Sequence, residues 1–93
     1  MVKNYELTPT GRQKSFYGKA IIMDYSEDTG NIFLLSYSTI VCRYNVRTKE
    51  FNRIWGGYSA TTMRHIDSFR NNYGLNNIGK HMWESLKVNK DIY

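Results

Sequence analysis

The sequence predicts an α+β fold: a four-stranded antiparallel meander over residues 15–55, packed by one main C-terminal helix plus a short second helix within residues 59–86. Three observations carry that expectation. Residues 54–75, I-W-G-G-Y-S-A-T-T-M-R-H-I-D-S-F-R-N-N-Y-G-L, hold an apolar residue at every third or fourth position from Ala60 to Tyr73, the stripe of an amphipathic helix. Upstream of it lie runs rich in β-branched and aromatic residues, the composition of strands. The polar turns between those runs are too short to hold the crossovers that parallel pairing needs, so neighbouring strands pair antiparallel.

Taken in order, residues 1–14 form an N-terminal arm, with Pro9 pushing Thr8 out of the helical region and Arg12 and Lys14 flanking the turn at Gly11. S-F-Y-G-K-A-I-I-M-D-Y, from Ser15 to Tyr25, reads as the first strand, with Phe16, Ala20 and Ile22 on one side and Tyr17, Ile21 and Met23 on the other. Ser26 to Gly30 is a turn by composition. Ile32 to Ser36 is the second strand, Tyr37-Ser38 reverses the chain, and Thr39 to Asn45 is the third, although one long bent strand is a competing reading. Glu50 to Trp55 is the fourth.

In the main helix, Gly56-Gly57 interrupts the strand, Ser59 stands where an N-cap belongs, and Tyr58 with Met63 matches a hydrophobic staple. Ala60, Met63, Ile66, Phe69 and Tyr73 make the stripe, and Gly74-Leu75 matches a Schellman-type stop. Ile78, Met82 and Leu86 at spacing four suggest the second helix, capped by Asn77 and weakened by Gly79. The tail after it can add an edge contact or fray.

Ninety-three residues suit one domain, with roughly 60–65% of the unfolded chain's surface buried on folding. The hydrophobic content of 41% and charged content of 23% match a globular chain rather than a disordered one. There is no run of 18 apolar residues, and M-V-K-N-Y-E-L-T carries no signal-peptide core, so a cytoplasmic location without membrane contact is expected. The net charge is +5. Residues 1–46 carry five Lys/Arg against four Asp/Glu and residues 47–93 carry eight against four, so the surplus sits in the C-terminal half. Such a surplus favours polyanionic partners, including nucleic acid.

The best candidate for chemistry is G-G-Y-S-A-T-T at the helix start. Its backbone N–H groups and the positive end of the helix dipole suit an anion, with Gly57, Ser59, Thr61 and Thr62 around it and Arg64 and His65 a turn further on. Arg53, if it lies on the exposed sheet face, joins Arg64 as the second cation of a basic edge. The stretch lacks the P-loop spacing, and Ser or Thr at a helix start also serves simply as a cap. His65 shares a face with Thr61 and Thr62, yet Asp67 points elsewhere and no orienting carboxylate completes a nucleophile.

His81 and Cys42 lack zinc-ligand spacing, and Asp24, Glu27 and Asp28 do not follow a calcium-loop pattern. No catalytic residue, metal or cofactor is therefore expected, and an enzyme built on Ser59, Thr61, Thr62 and His65 is the weakest alternative. Cys42, in a strand-like run, reads as a small buried hydrophobe. Aromatic residues make up 15% of the chain, and Tyr17, Lys19, Arg43, Tyr44 and Arg53 form a candidate stacking platform for single-stranded nucleic acid on a sheet face.

S-F-Y-G-K-A, L-L-S-Y-S-T-I-V and W-G-G-Y-S-A-T-T-M-R-H-I-D-S-F together resemble a small domain found in proteins of phages, plasmids and other mobile elements of Gram-positive bacteria, across residues 15–74. The resemblance implies no catalytic residue. It implies an accessory binding protein acting on a host or phage protein or nucleoprotein complex, a group that includes inhibitors of host defence such as anti-CRISPR proteins.

Overall fold

The computed structural model describes residues 2–11 and 14–91. Arg12, expected beside the Pro9 turn, and the last two residues of the tail lie outside the described residues. The elements are β1 (Lys3–Glu6), β2 (Ala20–Tyr25), β3 (Asn31–Ser36), β4 (Thr39–Asn45), β5 (Phe51–Arg53), α1 (Ala60–Asn72) and α2 (Gly79–Ser85). The α+β class and the antiparallel meander stand, but the sheet has five strands in the order β1-β2-β3-β4-β5. The added strand lies within the expected arm. K-N-Y-E pairs with β2 from Lys3↔Asp24 to Glu6↔Ile21, and all four residues are exposed. An edge strand that buries nothing shows no hydrophobic alternation, so no pattern announces it.

β2 is shorter than the expected strand. Tyr17 (φ 53) and Gly18 (φ 76) are left-handed, and the Lys19 N–H donates to the Phe16 carbonyl at 2.9 Å. S-F-Y-G-K is therefore a turn whose aromatic content imitates a strand. From Ala20 onward the alternation is as expected, with Ala20 and Ile22 buried and Ile21 and Met23 partly exposed. Tyr37-Ser38 does reverse the chain, with Tyr37 at φ 56. Between β3 and β4 the pairing shifts from Leu34↔Cys42 to Leu35↔Ile40. The bulge leaves Val41 unpaired within the β3–β4 ladder, and its carbonyl accepts from Ile54 and Trp55, both at 3.0 Å.

One face of the sheet carries Ala20, Ile22, Ile32, Leu34, Cys42 and Tyr44, and Met63, Ile66 and Phe69 of α1 pack in the same core. Ser59 caps α1 as expected, its Oγ accepting from the Thr62 N–H at 3.0 Å. The helix ends in a Schellman motif, with Gly74 N–H on the Asn71 carbonyl and Leu75 N–H on the Arg70 carbonyl. Ala60, expected in the stripe, is exposed; the buried set is Thr62, Met63, His65, Ile66, Ser68 and Phe69. Cys42 is fully buried in the core, and burial pushes its thiol well above the ordinary range, with Arg70 pulling weakly the other way.

The second helix differs from expectation. Asn77 does not cap it: its Oδ1 accepts from Asn71, while Ile78 takes the cap position and donates its N–H to the Asp67 carboxylate at 3.0 Å. Met82 is 53% exposed, and the residue that anchors α2 is Trp83, fully buried, with Nε1 donating to the Gly57 carbonyl at 2.8 Å.

Arg53 overturns the exposed basic edge. It is only 6% exposed. It pairs with Cys42, and the partners of one residue pair share a face, so its side chain is on the core side. Nε donates to the Trp55 carbonyl at 2.9 Å. Nη1 reaches the carbonyls of Trp83 (3.0 Å), Glu84 (3.3 Å) and Leu86 (3.2 Å), and Nη2 reaches Gly57 at 3.4 Å. The guanidinium also lies 4.8 Å from the Trp83 ring centroid. Three of these acceptors lie in the last turn and C-cap of α2, where carbonyls run short of helical partners and a cation complements the dipole. Beyond α2, Val88 forms a parallel bridge with Arg53, and the Asn89 N–H donates to the Arg53 carbonyl at 2.8 Å. The tail thus adds the expected edge contact.

Two stability predictions follow from this packing. Phe69→Ala removes a fully buried ring and is expected to cost about 3–5 kcal/mol, read as a lower urea midpoint. Arg53→Ala strands several carbonyls and is expected to cost at least about 3 kcal/mol. Arg53→Lys recovers little of it, because an ammonium cannot span the fork; a lysine variant as stable as wild type would contradict the clamp.

Candidate functional site

The residues expected around the helix start separate into two groups. Gly57 is structural: a Cβ there would lie 2.5 Å from the Trp55 ring, and its carbonyl is taken by Trp83 and Arg53. Ser59 is used as the cap. Thr62 and His65 are buried, at 5% and 1% exposure, while Thr61 and Arg64 are exposed. The hydroxyls do not converge on an open anion site with Arg53 and Arg64, because the fold consumes most of them.

The buried group has its own geometry. His65 Nδ1 is 2.8 Å from Ser36 Oγ, and Ser36 Oγ is 3.1 Å from Thr62 Oγ1. The Phe16 ring meets the His65 ring edge-on at 4.5 Å, and the Tyr37 ring lies 5.8 Å from it. Ser36 is the partner that sequence reasoning missed. Its signal was present, since Ser36 follows Ile32 and Leu34 at strand period and so falls on the core face. A polar residue there needs a polar neighbour on whatever covers it. A hydroxyl–hydroxyl–imidazole chain can pass a proton, and a serine beside a histidine is half of a nucleophile. Here Nδ1 bonds the hydroxyl rather than an orienting carboxylate, and Ser36 is 2% exposed.

The sheet-face candidates do not share a face. Arg43 and Tyr44 are consecutive in β4, so they point to opposite sides. Tyr44 is 4% exposed and stacks on Tyr73 with ring centroids 5.4 Å apart, inside the core. Arg43 faces outward, bonded to the Asn52 side chain and 3.8 Å from the Glu50 carboxylate. Its neighbours on that face, Met23, Phe33 and Leu35, are mostly apolar. Tyr17 and Lys19 lie not on the sheet but in the turn before β2.

That turn meets the β3–β4 hairpin at one corner. The Tyr37 N–H donates to the Lys19 carbonyl at 2.7 Å, and Lys19 Nζ lies 5.4 Å from the Tyr37 ring centroid. Tyr17 is 80% and Tyr37 52% exposed. Arg64 reaches the same region along α1, lining with Phe16, Asp67, Ser68 and Thr10 a cleft of about 270 Å³. The corner therefore brings together Tyr17, Lys19, Arg64 and His65 from the two candidate sets, and adds Tyr37. Among the described residues, no group of three or more His, Cys, Asp or Glu is placed to hold a metal ion, and no helix is long and apolar enough to cross a membrane.

The fold and the corner define a small α+β protein with a five-stranded antiparallel sheet whose exposed aromatic and basic side chains gather where two turns meet the main helix. Residues 5–85 match the model of a family of unknown function, DUF8033, and the chain belongs to that family. Among curated proteins nothing matches the chain significantly, and the same holds among solved structures.

Burial of the ring, and secondarily the Arg64 guanidinium, hold His65 below the ordinary imidazole pKa of 6.5. A pKa lowered by folding means that the native state favours the neutral ring. The resulting stability is complete above the unfolded value and is lost as pH falls through the folded one. Between about pH 7 and about pH 5 the wild-type urea midpoint is expected to fall more than that of His65→Gln; parallel curves would show that this histidine does not titrate with unfolding.

Proposed function

We propose that this protein is a non-enzymatic binding protein, an accessory factor of a mobile genetic element. It acts in the cytoplasm of the host on a nucleoprotein complex, in the manner of anti-CRISPR proteins. It needs no metal or cofactor. The resemblance of its three sequence motifs to mobile-element domains supports the setting. One structural observation carries the rest: the serine–histidine pair able to support chemistry is sealed, while the large side chains and cations at the adjoining corner are turned outward. Ser36 and His65 are 2% and 1% exposed, against 80% for Tyr17. Catalysis needs the reacting groups within hydrogen-bond reach of a substrate; recognition needs exposed anchors, and tyrosine and arginine are the residue types that serve best.

A flat stacking platform on the sheet is less well supported, because Tyr44 and Arg53 lie under the helices. Expression of a tagged chain in a host carrying an RNA-guided nuclease tests the proposal. The chain is expected to lower interference against a targeted plasmid and to be recovered with the nuclease–RNA complex. Unchanged interference together with recovery of the chain alone would overturn it.

A further inference from the structure

Two tyrosines are held outward in a backbone conformation that disfavours them. Tyr17 (φ 53) and Tyr37 (φ 56) both occupy the left-handed region, where any side chain with a Cβ is strained and glycine is at ease. A strained residue persists when packing compensates for it or when the strain serves a site. At Tyr17 the ring contributes no packing, the residue being 80% exposed, and the backbone is held by the Lys19–Phe16 bond of the turn and by the Tyr17 N–H on Ser15 Oγ at 2.9 Å. At Tyr37 the compensation is partial: its ring faces Lys19 and the buried His65, yet 52% of the residue remains exposed.

The surroundings indicate what these rings would meet. Lys14, Lys19 and Arg64 are all exposed around them. Lys19 sits over Tyr37, Lys14 is two residues from Phe16, and Arg64 shares a cleft with Phe16. Phe16 and Tyr37 both contact the His65 ring, which sets Tyr37, Lys19 and the Arg64 cleft beside one another, with Lys14 and Tyr17 adjoining them along the chain. Two acids are close: Glu6, whose Oε1 would lie 3.6 Å from a Cβ at Gly18, and Asp67, in the cleft with Arg64. Cations therefore outnumber acids three to two here, on a chain of net charge +5. Exposed ring faces interleaved with cations suit a ligand with flat bases and a phosphate backbone.

We propose that this corner binds a single strand of nucleic acid, with bases stacked on Tyr17 and Tyr37 and phosphates held by Lys14, Lys19 and Arg64. This rests on the binding-protein reading and names the component of the nucleoprotein that the chain touches. The duplex is not the ligand, since its bases offer no free face to the rings.

Fluorescence anisotropy of the purified full chain with a labelled oligothymidine of about twelve nucleotides tests it. Three phosphate contacts on a single strand predict that log K falls with log salt with a slope of about −2. Tyr17→Gly and Tyr37→Gly are each expected to weaken binding by about five- to 150-fold, the equivalent of one lost stack, and Tyr37→Phe, which keeps the ring, to bind as wild type. Lys19→Ala and Arg64→Ala should each flatten the slope by about 0.7. Tyr17→Gly also keeps binding separate from folding, because glycine suits φ 53 and the melting temperature should be no lower than wild type.

Absence of wild-type binding to the single strand at low salt would overturn the inference, as would wild-type affinity in Tyr17→Gly, equal affinity for duplex, or preference for an acidic polypeptide. If the chain fails to bind the oligonucleotide but still captures a nucleoprotein from cells, this assignment falls and the binding-protein reading survives.

Discussion

The arrangement of the C-terminal third depends on one buried cation. Arg53 ends β5, the last strand of the sheet, and its guanidinium is spread over five carbonyl oxygens from two segments, residues 55–57 and 83–86. The donors of a guanidinium lie in a rigid fork. Buried, it must be surrounded by acceptors. Three of the five acceptors lie at the C-terminal end of α2, where the Trp83 carbonyl also accepts from the Leu86 N–H and those of Glu84 and Leu86 are beyond the reach of the helical ladder. The requirement is mutual: the arginine could not be buried without the helix end, and a seven-residue helix has little stability of its own. Trp83 completes the arrangement, stacking under the guanidinium and bonding the same Gly57 carbonyl that Nη2 reaches. The Gly56-Gly57 break has a corresponding role, because a side chain at Gly57 would collide with Trp55.

The main helix was legible in the sequence because its signals were local and agreed with one another. A serine cap, a stripe at helical spacing and a glycine stop each describe the same 13 residues. The central strands and their turns were legible for the same reason. What escaped was set by distant partners. β1 has no pattern because it buries nothing. Trp83, not the spaced Ile78, Met82 and Leu86, anchors α2, because the anchor position is fixed by Arg53 and Gly57 about thirty residues away. Arginine is ordinarily a surface residue, so nothing local distinguished Arg53 from Arg64. Part of the candidate site was visible as residue types, Tyr17 and Lys19 in one stretch and Thr61 to His65 in another. Their meeting was not, since it requires the β3–β4 hairpin to bring Tyr37 between them.

Ser36, Thr62 and His65 show how a fold can hold a chemically suggestive set for structural reasons. A polar residue facing the core on β3 has to be answered from α1, and the answer is a threonine and a histidine one turn apart. The chain of hydrogen bonds fixes the rotation of the helix over the sheet, which an apolar contact alone would leave looser. It also supports the floor of the corner, since the Phe16 and Tyr37 rings rest against the imidazole. Of the two exposed rings, Tyr37 is thereby set against a rigid base, and rigid anchors lose less entropy on binding.

The two margins of the sheet are finished differently, and this bears on how the protein behaves when concentrated. Along β5 the tail closes the ladder through Val88 and Asn89. Along β1, among the described residues, no strand pairs on the outer side. An open ladder invites another chain to extend it, the usual first step toward fibrils. Here the open margin is only four residues long, and its ends are Lys3, ion-paired with Glu27, and Glu6. Shortness and charge are the ordinary means of discouraging such growth. Changes in this easily overlooked segment that leave the core untouched are therefore the ones expected to alter solubility.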